Sequence, residues 1–277
     1  MNSYFNFIVF ILTTMSYYYF IKPKPTYNDI DISGSPDAYL KYTNKNYISF
    51  AIYFMLVFVT QSLLNIWTII EKCGGSSSQN IIAALLMTFF PWTFIFGAII
   101  LILIIFPGFK NGFSDVIGYF YVSGSAHSVL SDILKVDSDI SEKIDSSALS
   151  DVDKKGMENA ASAIIKLFGN MGILINKLVP SNFSNYWEIL KPLMKNPNNE
   201  DLKEKLLEIV VMRDNIGECM WFIYTGVLLI SIVQYNISVR GCINDTTTIK
   251  NNYKKYVEDE EKKQRSDAKQ NNVVYKI

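Results

Sequence analysis

Residues 81–106 form a run of 26 residues without a charged side chain, ending in Phe106-Pro107-Gly108. A soluble core helix needs no such length, whereas about 20 apolar residues carry an α-helix across the ~30 Å hydrocarbon layer of a bilayer. Residues 4–21, 47–70 and 219–239 also lack Asp, Glu, Lys, Arg and His. The expected fold is therefore all-α, a multi-pass membrane protein with about four transmembrane helices and a helical extramembrane region.

The three early spans fall within residues 1–106, joined by short loops. Residues 107–218 supply an interfacial segment and a helical extramembrane region, 219–239 the fourth span, and 240–277 a charged, mobile tail. Segment 4–21 has no basic stretch before it and no small-residue cleavage site, and it ends Tyr17-Tyr18-Tyr19-Phe20-Ile21-Lys22. Aromatics followed by lysine mark the membrane–water boundary, so a retained anchor is expected rather than a cleaved leader. Residues 22–46 are expected to form a polar loop, broken by Pro23, Pro25, Gly34 and Pro36. The linker 71–80 contains Gly74-Gly75-Ser76-Ser77-Ser78, and its shortness makes spans two and three a helical hairpin. Pro91 and Gly97 lie inside span three, where a kink is tolerated if neighbouring helices or Ser/Thr side chains satisfy the freed carbonyl.

Beyond the third span, Tyr119, Phe120 and Tyr121 suggest a segment at headgroup level. Met157, Ala160, Ala161, Ile164, Ile165, Phe168, Met171 and Ile175 then recur at helical spacing, an amphipathic stripe. Ser181 or Asn182 should cap a helix holding Trp187, Ile189 and Leu190 and ending near Pro192. In 201–213, Leu202, Leu206, Ile209 and Val210 share one face, with lysines and glutamates opposite. This stretch leads directly into span four, so one long helix is expected to rise out of the membrane. The stripes either dock on partner helices or pack on each other; an internal core is the stronger expectation. The tail from Thr246 is charge-mixed, either a solvated helix or disordered.

Charge sets further bounds. Residues 107–218 carry 12 basic and 16 acidic side chains, and the tail from Arg240 carries 9 and 6. Neither is a polybasic arm, so no nucleic-acid partner is expected. With four spans both termini share a side, which has Lys72, Arg240, Lys250, Lys254 and Lys255 near the span ends. The opposite side has Lys22, Lys24, Lys41, Lys45, Lys110, Lys203, Lys205 and Arg213, which leans toward a cytoplasmic 107–218 region. Cys219 and Cys242 bracket span four and cannot pair within the chain. A Cys73–Cys242 bridge is geometrically allowed but is not the expectation, and cysteine usage leaves the redox compartment undecided.

Chemistry is sparse. His127, the one histidine, stands five residues before Asp132, the HxxxxD spacing of glycerolipid acyltransferases, in which an imidazole base is oriented by a carboxylate. No glycine-rich partner motif follows, and an exposed or capping histidine is the plainer reading. Asp132, Asp137, Asp139 and Asp145 read as a solvated acidic loop rather than a cation site. No zinc, calcium or phosphate-loop motif is present, and no catalytic residue, cofactor or metal is expected. In span two, Gln61, Asn65 and Thr68 recur at helical spacing beside Thr60 and Ser62. They read as a channel or transporter lining or, preferably, as interhelical hydrogen bonding. Coupled carriers place ionisable groups inside their spans, and the four uncharged segments hold none. Asn182-Phe-Ser184 and Asn244-Asp-Thr246 fit the glycosylation sequon and carry little weight.

One stretch carries a resemblance. Phe90-Pro91-Trp92-Thr93-Phe94-Ile95-Phe96-Gly97, then Phe106-Pro107-Gly108-Phe109-Lys110 and Phe113-Ser114-Asp115-Val116-Ile117-Gly118-Tyr119, resembles a membrane protein found across the nucleocytoplasmic large DNA viruses of algae and amoebae. In that family a Pro-Trp span precedes a Phe-Pro-Gly turn and a Phe-Ser-…-Gly-Tyr segment. The resemblance covers roughly residues 85–125, and Asp115-Val116 stands where Asn-Thr is expected. It implies a virion protein of the internal membrane, a minor capsid component linking that membrane to the icosahedral shell. The partners it implies are the lipid bilayer and capsid or other viral membrane proteins, and a homo-oligomer is compatible with it.

Overall fold

The computed structural model describes residues 3–75, 77–134, 171–191, 194–243 and 246–271. Among these the secondary structure is helical, and the single β pairing is an isolated bridge between Leu134 and Met194. Four helices are long and apolar enough to cross a membrane: Tyr4–Ile21, Pro36–Cys73, Ser78–Ile105 and Glu200–Val239. Between 22% and 44% of each apolar window is buried inside the protein, so most of that surface has only lipid to cover it. The fold is all-α and multi-pass.

Local chemistry explains the helix boundaries. Helix α1 (Ser3–Ser16) widens into a π-turn over Tyr17–Ile21, closed by Lys22 N–H donating to the Tyr17 carbonyl at 2.8 Å. A short α2 (Tyr27–Ile30) and then α3 (Pro36–Cys73) follow. Helix α3 thus begins well before residue 47, which corrects the expected polar loop. Pro36 sits in the first turn, where its fixed φ suits a helix and its missing N–H costs nothing, and Asp37 favours the positive end of the helix dipole. In span three, α4 (Ser78–Pro91) passes through a π-turn at Trp92–Phe96 into α5 (Gly97–Ile105). Pro91 cannot donate to the preceding turn, and a wider π-turn follows it directly.

After Phe106 the chain stays helical: a 3-10 turn (Pro107–Lys110), α6 (Asn111–Phe113), a π-turn (Ser114–Gly118) and α7 (Tyr119–Ile133). Next come α8 (Met171–Lys177), α9 (Phe183–Leu190), α10 (Glu200–Val239) and α11 (Thr246–Asn271). The expected single helix running into span four is present as the 40-residue α10. Within the tail Thr246–Asn271 is helical, and residues 249–266 of it are largely exposed, the solvated alternative. Asp137, Asp139, Asp145, the stripe from Met157 to Phe168, Pro192 and the sequon residue Asn244 lie outside the described residues.

The described chain forms two compact units. The first comprises Met1–Thr13, Met55–Gly97 and Gly226–Ile277. Its apolar centre holds Phe10 against Trp92 and Phe96, with ring centroids 5.7 Å and 6.1 Å away. A Cys73–Cys242 disulfide closes one end, Cα atoms 5.5 Å apart, which corrects the expectation of unpaired cysteines. Sequence spacing allowed this bridge but could not bring residues separated by 169 positions together.

The second unit comprises Thr14–Phe54 and Ala98–Thr225. Its helical core joins Ala126, Leu130 and Ile133 of α7 to Leu174 and Ile175 of α8, Phe183, Trp187 and Leu190 of α9, and Leu206, Leu207 and Val210 of α10. The amphipathic face in 201–213 therefore packs internally. Lys203 departs from the expected polar face: it is 8% exposed, its Nζ 3.2 Å from the centre of the Tyr27 ring and 3.3 Å from the Glu200 carboxylate. Asn182 takes the position before α9, but its side chain turns back, accepting from Val179 N–H and donating to the Lys177 carbonyl.

Candidate functional site

Two polar clusters stand out, one in each unit. In the first unit, Asn65 of α3 is a hub. Its Oδ1 accepts from Asn6 Nδ2 at 3.0 Å and from Gln234 Nε2 at 2.7 Å, and its Nδ2 donates to Thr88 Oγ1 at 2.9 Å. Thr88 donates onward to the Ala84 carbonyl, and Gln61 Nε2 donates to the Asn6 carbonyl at 3.2 Å. All five side chains are buried. Thr60 and Thr68 bond back to carbonyls of their own helix. The stripe in span two is thus an interhelical hydrogen-bond seam, drawing partners from α1, α4 and α10.

The second cluster is ionic and centres on Glu218, which is fully buried on α10 one residue before the uncharged run 219–239. One carboxylate oxygen accepts from Lys22 and from the Tyr18 hydroxyl, the latter at 2.9 Å. The other lies 2.9 Å from Lys110 Nζ, which also donates to Asp214 at 2.9 Å. Two cations and two anions balance, as burial demands. Burial, the largest influence on Lys22, pulls its pKa below the ordinary lysine value against the attraction of Glu218. Lys110 is also pulled down by burial, but Glu218 and Asp214 together outweigh it and hold its pKa above the ordinary value.

Buried aromatic side chains pack together in the same unit. Tyr17 stacks on Tyr53 at 4.4 Å between ring centres, and Phe222 lies 5.1 Å from Tyr53. One helical turn above, the fully buried Arg213 donates to the Ile175 carbonyl and to Asn176 Oδ1, with Asp115 at 3.7 Å. Reading span four from residue 219 missed this cluster. The signal was available in Arg213, Asp214 and Glu218, charges on the same helix directly before an apolar run.

The Phe-Pro-Gly and Phe-Ser-…-Gly segments now have a structural role. The turn delivers Lys110 into the cluster, and Phe109 stacks on Trp221 at 4.5 Å while accepting its indole N–H. A Cβ at Gly118 would fall 2.6 Å from the Arg213 carbonyl oxygen. A Cβ at Gly217 would fall 2.6 Å from Ser114 Cβ and 2.8 Å from the Lys110 carbonyl oxygen. Glycine at both positions lets the motif lie directly on α10.

His127 and Asp132 are both exposed on α7. Five residues apart on one helix, they point about 140° away from each other. The structure does not assemble them into a base and its orienting carboxylate. Among the described residues no group of three or more His, Cys, Asp or Glu side chains could hold a metal ion. Comparison of the chain with protein-family models, with curated proteins and with solved structures finds no match.

Proposed function

We propose that this chain is a non-enzymatic structural protein of a large DNA virus virion, anchoring the internal membrane to the capsid or its minor capsid proteins. The virion assignment rests on the resemblance of residues 85–125. The observation that carries the structural role is that the polar groups of the two clusters bond chiefly to one another across helices. Asn65, Gln61 and Gln234 bond to other side chains or backbone, and Glu218 is neutralised by Lys22 and Lys110. A membrane anchor needs rigid spans and a folded head, and cross-helix networks of this kind supply rigidity.

Orientation follows from two independent lines. The disulfide Cys73–Cys242 favours an oxidising compartment for its side of the membrane. The larger number of lysines flanks the spans on the other side, which favours a cytoplasmic location for the helical head. The head is then the part that meets the shell as virions form on host endomembranes.

Cross-linking mass spectrometry on purified particles tests the reading, with the exposed Lys177 and Lys205 of the head as reporters. Links from these lysines to capsid proteins are the expected result. Links confined to this chain, in membranes lacking capsid proteins, would overturn it.

A further inference from the structure

The first unit carries a groove of about 380 Å³ lined by Gln79, Ile82, Ala83, Leu86 and Met87 of α4 and by Arg240 and Ile243 just past the end of α10. Its floor is apolar, and Ile82 and Leu86 are 55% and 49% exposed. The groove sits where the uncharged run of α10 ends and that of α4 begins, which is the level of the lipid headgroups.

Its shape is fixed by bonds that leave the Arg240 side chain unused. Lys72 Nζ donates to the carbonyls of Ile237, Ser238 and Arg240 at 2.8, 2.8 and 2.6 Å, neutralising the negative end of α10. Asn80 pins Ile243 through both its carbonyl and its N–H, at 2.9 and 3.1 Å. The disulfide at Cys242 locks the same segment to the end of α3. Arg240 itself forms no ion pair among the described residues, and its Nε is buried without a hydrogen-bond partner.

We propose that this groove is a binding site for an anionic phospholipid, its phosphate on the Arg240 guanidinium and one acyl chain along Ile82, Leu86 and Met87. Charge complementarity selects the occupant. A guanidinium matches phosphate oxygens through two parallel N–H donors, and the apolar floor matches a hydrocarbon chain. One cation at the interface favours an anionic over a zwitterionic headgroup by about fivefold.

The test uses the full chain in detergent micelles, with retained lipid counted by native mass spectrometry. Phosphatidylglycerol and phosphatidylcholine with identical chains are offered at equal concentration. The expected result is about fivefold preferential retention of phosphatidylglycerol, lost in Arg240→Gln and kept in Arg265→Gln, whose side chain lies exposed on α11. Leu86→Trp, which fills the groove at an exposed position, should lower retention of both lipids. A preference that survives Arg240→Gln, or that disappears equally in Arg265→Gln, would overturn the site. So would unchanged retention in Leu86→Trp, or a lipid-free dimer as the dominant species, since a second copy would then cover the groove.

Discussion

The Asn65 seam and the Glu218 cluster solve the same problem with different chemistry. Both bury polar side chains on α3 or α10, and both recruit partners from distant segments. The seam uses neutral amides and hydroxyls, each bond contributing about 0.6 kcal/mol and each loss leaving groups that can find other partners. The cluster uses full charges, which stabilise little when complete but cost several kcal/mol when one partner is removed. Neutral seams are therefore adjustable, whereas an ionic cluster enforces one arrangement.

The largest expected effect comes from breaking the charge balance. Glu218→Gln leaves Lys22 and Lys110 with one carboxylate between them and should lower stability by roughly 3–5 kcal/mol, read as a fall in unfolding temperature in detergent. Lys110→Met should be comparable, because it strands Asp214 as well as half of Glu218. If both variants unfold like the parent, the cluster is solvated and the contrast with the seam collapses.

Next in size is the close approach that positions Lys110. Gly217→Ala forces a methyl group against Ser114 and the Lys110 backbone and should cost about 1–3 kcal/mol. Combined with Lys110→Met, its cost should be less than additive, since both act on one contact. Full additivity would separate the glycine from the ionic cluster.

A smaller effect is expected in the seam. Asn65→Leu removes three hydrogen bonds and should cost about 1–2 kcal/mol by the same thermal assay. A loss as large as that of Glu218→Gln would show that neutral seams are as exacting as charged ones. The smallest effect belongs to Arg265→Ala, which breaks an exposed pair with Glu261 on α11 and should leave the unfolding temperature unchanged.

Orientation gives a chemical check of a different kind. With the membrane intact, an impermeant thiol reagent should label Cys73 and Cys242 only after reduction, and only from the compartment holding the termini. Labelling without reduction would remove the disulfide and half the orientation argument.

Much of this architecture was legible in residue order. The uncharged runs gave the spans, Gly74 to Ser78 gave the hairpin, and Leu202, Leu206 and Val210 gave a face that packs in the head. The preference for interhelical bonding over a lining at Gln61 and Asn65 also agrees with where those side chains sit. Three readings were incomplete. Helix α3 begins at Pro36 because proline and Asp37 favour a first helical turn, even in a sequence that reads as loop. Cys73 pairs with Cys242, and Lys203 leaves the polar face for the Tyr27 ring.

The sequence by itself determined that this chain crosses a membrane and does so as helices. An unbonded peptide group or an unpaired charge in hydrocarbon is penalised residue by residue, so local composition is enough. Tertiary structure decided which charges could be buried beside those spans. Glu218 is tolerated because Lys22 and Lys110 meet it, and Lys22 lies 196 residues away along the chain. Burying an ion depends on the partner's distance in space, and a distance between remote segments is a property of the packed helices.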